Sequence, residues 1–296
     1  MQPINWTTAI GYANLVAIAE SVNPAADYAA ADIASIQALG YKFLQTIYGD
    51  ALATDINPNL GKIVTFGFLA VSAAPANELV AIVRGTETIW DWMHDAAFLM
   101  VPSPIAGAHG FTEDGFTAVY RSLRAARDNG SPRAIETIRG YLANGTAATV
   151  TVSGHSLGGS LATLLSLDVA MTTTCKDPLV YTFASPRTGD HFFAGTYNAV
   201  VPNCYRVANR QDLVPQLPPY LPLPYEHVNT FFELAPPPNA INSSIPCMHH
   251  LTTYLWLMAR LANVPGYPLI AACSVAAIAP QIPVYPVTTP AAPAGV

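Results

Sequence analysis

The sequence predicts an α/β protein: a mostly parallel central sheet with helices on both faces. Three observations point there. From residue 116 onward helical and strand-like stretches alternate, the pattern of parallel βαβ units. At 296 residues the chain can bury the core of one large α/β domain without disulfide staples. No internal repeat of about 20–50 residues is visible, so a solenoid or propeller is not expected.

Two helices are expected to open the chain, over 12–20 and 25–47; the second carries Ile33, Ile36, Leu39, Phe43 and Leu44 at helical spacing. Segments 62–72 and 78–84 read as strands, and the turn-rich Ala73-Ala74-Pro75-Ala76-Asn77 makes them a hairpin-like pair. Helices over 116–126 and 134–142 then lead to a strand at 149–153, a helix at 157–171 and a strand at 179–184. A short helix after Gly189 and a strand at 204–209 complete the alternation. Prolines concentrate from 217 to 239 and after Val264. The expected organisation is a single domain, residues 1–264, followed by a proline-rich, charge-free segment, 265–296.

Charged residues make up only 11% of the chain, against roughly 25% in an average domain. Mean hydropathy is +0.30. With 13 Lys+Arg against 19 Asp+Glu the net charge is −6. No basic cluster exists to displace counterions, so nucleic acid is not expected as a partner. At 51% hydrophobic residues the chain is far too apolar for charge-driven disorder. The low charge invites a membrane span, but the best candidate, 269–279, has about half the ~20 apolar residues a helix needs, and prolines bound it. No transmembrane segment is expected. Nor does the N-terminus show a basic stretch followed by a compact apolar one, so no intact signal peptide is expected. Cys175, Cys204, Cys247 and Cys273 permit two disulfides in any of three pairings, or none, and show no metal spacing such as CxxC.

In open α/β sheets ligands bind beyond the carboxyl ends of the strands. There the strand at 149–153 runs into Gly154-His155-Ser156-Leu157-Gly158-Gly159, a GxSxG sequence followed at once by a helix. Such an elbow holds its serine in a tight, exposed turn, and the flanking glycines are needed because side chains there would strike the adjacent strand and helix. The helix N-terminus offers free N–H groups to a developing oxyanion. Ser156 is therefore the candidate nucleophile.

A serine hydroxyl attacks only if a histidine takes its proton and a carboxylate fixes that histidine's tautomer. Behind a GxSxG elbow the acid and then the base follow in the chain. Four aspartates follow Ser156. Asp168 lies within the elbow's own helix, Asp177 precedes a strand and so sits at the opposite sheet edge, and Asp190 opens a short helix. Asp212 comes just after a strand on the serine's edge and is the acid expected. Of the later histidines, His227 begins a strand-like run and reads as a structural hydrogen-bonding residue. His249 and His250 stand where a proline-containing loop meets a helix over 251–261. One of them is the expected base; the other packs or faces water.

These residues resemble the class 3 lipases, α/β-hydrolase-fold enzymes that include fungal triacylglycerol lipases and feruloyl esterases. The resemblance spans roughly residues 65–257. Ala81-Ile82-Val83-Arg84-Gly85-Thr86 is similar to the family's strand ending in an RGT or RGS step, which implies that Thr86 forms half of the oxyanion hole. The N–H of Leu157 would supply the other half. Glu113-Asp114-Gly115-Phe116 with Tyr120 resembles the family's GF segment, and Gly154 to Gly159 its GHSLGG elbow. Phe183-Ala184-Ser185-Pro186-Arg187-Thr188-Gly189 resembles the strand and loop that follow. Asn209-Arg210-Gln211-Asp212-Leu213-Val214-Pro215 resembles the segment carrying the catalytic aspartate. In many bacterial and plant members the histidine precedes a Tyr-Leu pair by five residues, as His249 precedes Tyr254-Leu255. Fungal members use a shorter interval, which keeps His250 as the alternative base.

Directly after Thr86, Ile89, Trp92, Met93, Ala96 and Ala97 fall on one helical face, with Asp91, His94 and Asp95 off it. In the resembled lipases a helix here is the lid, which implies a short lid over 88–97 with Ile89, Trp90, Trp92 and Met93 contacting substrate. Packing as ordinary core is the alternative. The implied activity is a serine carboxylester hydrolase acting on acylglycerols at a lipid-water interface, without cofactor or metal. An esterase of soluble or feruloyl esters is the rival, and a non-catalytic binder of hydrophobic ligands the remote one. Low charge, abundant proline and the family's usual work suggest secretion; a cytoplasmic location is the alternative.

Overall fold

A computed structural model describes residues 3–51, 62–85, 98–128, 130–221, 223–229 and 231–275. The chain begins with α1 (Trp6–Ser21) and α2 (Ala30–Ala38), then β1 (Tyr41–Asp50), β2 (Ile63–Ser72) and β3 (Glu78–Val83). After β4 (Met100–Pro102) and β5 (Phe111–Glu113) come α3 (Asp114–Ser122), α4 (Ala134–Ala143), β6 (Thr149–His155) and α5 (Leu157–Thr172). Next are β7 (Leu179–Phe183), β8 (Gly189–Asp190), α6 (His191–Val200), β9 (Cys204–Asn209), β10 (Tyr225–Glu226) and β11 (Phe231–Leu234). The short α7 (Ile245–His249) and α8 (Leu251–Ala262) follow.

The central sheet has seven strands in the order β1-β2-β3-β6-β7-β9-β11. The two pairs among β1, β2 and β3 are antiparallel and every later pair is parallel, so the sheet is mostly parallel as expected. Period-2 alternation sorts its side chains to two cores. Leu79, Ala81 and Val83 of β3 join one core with α3, α4, α5 and α6, while Val80 and Ile82 join the other with α1, α2 and α8. Helices therefore cover both faces.

The second predicted helix is shorter than its periodicity suggested. Leu39 closes α2, and Gly40 follows at φ +89, a left-handed value that glycine takes without steric cost. Phe43, Leu44 and Ile47 consequently lie in β1, paired with β2. The register shifts between Phe43 and Gln45 and between Ile47 and Tyr48, which breaks the alternation that would have announced a strand. The helix expected over 116–126 starts earlier, because the Glu113 side chain accepts the Phe116 N–H and caps it. A second, antiparallel sheet, β10-β8-β5-β4, was not foreseen; its strands are two or three residues long, too short to show a period.

A disulfide joins Cys247 to Cys273, while Cys175 and Cys204 are free thiols. Asn14 of α1 donates to the Tyr267 hydroxyl oxygen, and Ile241 bridges Ser274. The packed body thus continues past residue 264, the expected boundary, to Val275; residues 276–296 of the proline-rich segment lie outside the described residues. No helix of the described residues is long and apolar enough to cross a membrane.

Candidate active site

In parallel register β6 ends level with β7, His155 opposite Phe183, and runs straight into α5. Ser156 stands at the junction with φ 58 and ψ −129, a conformation that costs a side-chain-bearing residue about 1–3 kcal/mol. Close approach holds it there. A Cβ on Gly154 would lie 2.2 Å from the Gly158 carbonyl oxygen, and one on Gly158 would lie 2.3 Å from that of Val83. The Ser156 N–H donates to the Phe183 carbonyl of β7 at 2.9 Å, which fixes the elbow to the sheet.

The structure brings Ser156, His249 and Asp212 into one hydrogen-bonded line. The Ser156 hydroxyl lies 2.9 Å from His249 Nε2, and His249 Nδ1 lies 2.8 Å from Asp212 Oδ2. Asp212 sits just beyond β9, the position chosen for the acid. His250 is not part of this line. It is exposed and caps α8, its Nδ1 accepting from the Thr252 N–H and hydroxyl. Leu157 opens α5, so its N–H belongs to the first turn, where no intrahelical carbonyl is available. Thr86 and the expected lid, with Ile89, Trp90, Trp92 and Met93, lie outside the described residues.

The partners fix the protons. Because an ionised carboxylate only accepts, His249 Nδ1 carries the hydrogen toward Asp212, and Nε2 presents its lone pair to the serine hydroxyl. Burial lowers the His249 pKa, the hydrogen bond and charge of Asp212 pull it back, and the balance falls below the ordinary 6.5. The imidazole is therefore neutral and able to accept a proton at pH 7.

Asp212 is held by more than His249. Its Oδ1 accepts the Val214 N–H at 3.0 Å, and its Oδ2 accepts the Tyr254 hydroxyl at 2.7 Å. That hydroxyl in turn accepts the Asn209 N–H at 3.0 Å, and the Asn209 side chain donates to the Met248 carbonyl at 2.8 Å. In the sequence Tyr254 stands out only by its spacing to the histidine, and Asn209 only as part of the segment that carries Asp212. Sequence reasoning also missed Glu20, whose Oε1 lies 2.9 Å from Nδ1 of His155 beside the serine. Its signal was available: Glu20 is the sole charged residue in the sixteen of α1.

The remaining candidates have other partners. Asp168 accepts from the buried Tyr120 hydroxyl, Asp177 from Asn203, and Asp190 caps α6. His227 Nε2 donates to the Pro215 carbonyl at 2.6 Å, a structural contact of the kind expected. Among the described residues no cluster of three or more His, Cys, Asp or Glu could hold a metal ion.

Residues 80–221 match the model of the lipase (class 3) family. Over this span, just under half of its length, the chain is similar to the class 3 lipases. Among its relatives, phospholipase A1-II 7 of Oryza sativa subsp. indica is 33% identical over 180 residues, 50% of this chain and 43% of that protein. The secreted mono- and diacylglycerol lipase A of Penicillium camembertii is 30% identical over 181 residues, 61% of this chain and 55% of that one. The match spans about half the length of these curated relatives. Among solved structures, the lipase of Rhizopus microsporus var. chinensis superposes with a TM-score of 0.61 at 22% identity, covering 82% of this chain and 76% of that one. The fold of this chain is therefore the α/β-hydrolase fold of the lipases.

Proposed function

We propose that the protein is a serine carboxylester hydrolase of acylglycerols. The observation that carries the reading is the hydrogen-bonded line Ser156–His249–Asp212, with its serine on a strained elbow. As the Ser156 oxygen attacks the ester carbonyl, His249 Nε2 takes the hydroxyl proton and Asp212 stabilises the imidazolium that forms. The N–H of Leu157, together with that of Thr86, receives the oxyanion. Collapse of the tetrahedral adduct breaks the ester C–O bond, His249 returns the proton to the departing alcohol, and an acyl ester remains on Ser156. Water then attacks the acyl carbonyl, giving up a proton to His249; the bond to the Ser156 oxygen breaks, His249 returns the proton to that oxygen, and the fatty acid leaves.

Relatives named as mono- and diacylglycerol lipases support an acylglycerol substrate, and those named as phospholipases A1 make a phospholipid ester the alternative. The secreted relatives and the Cys247–Cys273 bridge support work outside the cytosol, where disulfides persist. The lid over 88–97 is retained as part of this reading.

The test is hydrolysis of a chromogenic short-chain ester by the wild type and by Ser156→Ala, with labelling by an organophosphonate. Turnover and labelling are expected in the wild type and absent from the variant; retained turnover in Ser156→Ala overturns the assignment. Tributyrin titrated through its solubility limit, beside monoacylglycerol and phosphatidylcholine, then separates interfacial lipase from soluble esterase and phospholipase.

A further inference from the structure

A second histidine–carboxylate pair lies beneath the first. His155 is the residue before the serine, and its ring lies 4.8 Å from that of His249, centroid to centroid, tilted by 32°. Its Nδ1 faces Glu20 Oε1 at 2.9 Å, and its Nε2 faces the backbone carbonyl oxygen of His249 at 2.9 Å. Both neighbours are acceptors, so both ring nitrogens must donate and His155 is held as an imidazolium.

Glu20 is poorly placed for the stability of its own helix. It stands in the last turn of α1, at the negative end of the helix dipole, where a carboxylate is unfavourable. What holds it is on the other side. It reaches His155 across α1 and β6, and Arg84 is the next cation, tied to the end of α1 by its hydrogen bond to the Val22 carbonyl at 2.6 Å. Burial opposes both charges, yet their attraction prevails: the Glu20 carboxyl is held below its usual value and the His155 imidazole above its own.

We propose that Glu20 is a positioning residue for the base, acting through His155. The inference rests on His249 being that base. His249 ends α7, a helix of five residues whose other anchors, the Cys247–Cys273 bridge and the Asn209 bond to the Met248 carbonyl, hold the residues before it. The His155 hydrogen bond ties that backbone, from the carbonyl side, to the strand that bears the nucleophile. Glu20 keeps the His155 ring turned toward the carbonyl. Its negative charge also offsets the His155 cation, which would otherwise oppose the second imidazolium that forms on His249 during attack. The Ser156 hydroxyl is hydrogen-bonded to His249, not to Glu20 or the His155 ring.

The experiment measures kcat and KM on a dissolved chromogenic ester for the wild type, Glu20→Ala and Glu20→Gln, with active sites counted by organophosphonate titration. Counting sites separates a loss of folded protein from a loss per site. Expected is a fall in kcat per titrated site of about tenfold for Glu20→Ala, the scale of a displaced catalytic group, with KM within about twofold of wild type. Glu20→Gln, which keeps the shape and an acceptor for Nδ1, is expected to lose about threefold, and it decides the matter alone should Glu20→Ala not fold. A kcat per titrated site within about twofold of wild type in the variants that fold, or a loss confined to KM, overturns the proposal. His249→Ala is run in parallel. If it retains wild-type turnover, the base assignment has failed; if it is inactive while both Glu20 variants are fully active, only the positioning role has failed.

Discussion

Replacing Tyr254 by Phe removes one oxygen and breaks two buried contacts at once. Asp212 Oδ2 loses a donor at 2.7 Å, and the Asn209 N–H loses the acceptor it had at 3.0 Å. Asp212 is 1% exposed and Asn209 2%, so water does not replace either partner cheaply. A hydrogen bond to a charged group contributes about 1.5–3 kcal/mol and a buried orphaned N–H costs about 1–3 kcal/mol, which puts the expected destabilisation near 3 kcal/mol. Tyr48→Phe is the matched control. It deletes the same atom from a bond to Asp27, whose side chain is 63% exposed, and should cost under about 1 kcal/mol. Urea unfolding followed by tryptophan fluorescence, at pH 7 and with the slopes compared, measures both. Equal losses for the two variants would refute the reasoning that burial makes the Tyr254 hydroxyl important.

Gly154→Ala and Gly158→Ala each place a Cβ within 2.3 Å of a backbone carbonyl oxygen, so both should abolish phosphonate labelling of Ser156; wild-type labelling in either would show that the elbow yields. Protonation removes the lone pair of the proposed base, so activity should disappear as pH falls through the His249 pKa. Since burial lowers that pKa, the acid limb of kcat/KM on a soluble ester should have its midpoint below 6.5, and a midpoint above 6.5 contradicts the environment described. Removing the Cys247–Cys273 bridge, with its sequence separation of 26, should cost about 3.5 kcal/mol by loop entropy. Matching urea midpoints for the wild type and the double Cys→Ser variant would show that the bridge contributes nothing.

The parts of this protein that were legible in its sequence are those whose signal is local. Strands such as Cys204–Asn209 and the elbow at Gly154–Gly159 announce themselves through periodicity and glycine placement, and Asp212 through its position just after a strand. Tyr254 and Glu20 were not read this way because their partners are 42 residues away at Asp212 and 135 away at His155. No window along the chain contains both ends of either contact. The error at α2 had a different origin: Phe43 and Leu44 continue a helical spacing, and a single glycine with positive φ outweighed it.

The packing of α1 against α8 decides how this layout could be divided or transplanted. The span that matches the family model, 80–221, carries the proposed nucleophile and acid, but Glu20 lies before it and His249 after it. A fragment cut to the matched span would keep the proposed nucleophile and lack its proposed base. Grafting the chemistry onto another scaffold would require both helices as well as the elbow, and a chimera joined within either would have to preserve the crossing that brings them over the same sheet face.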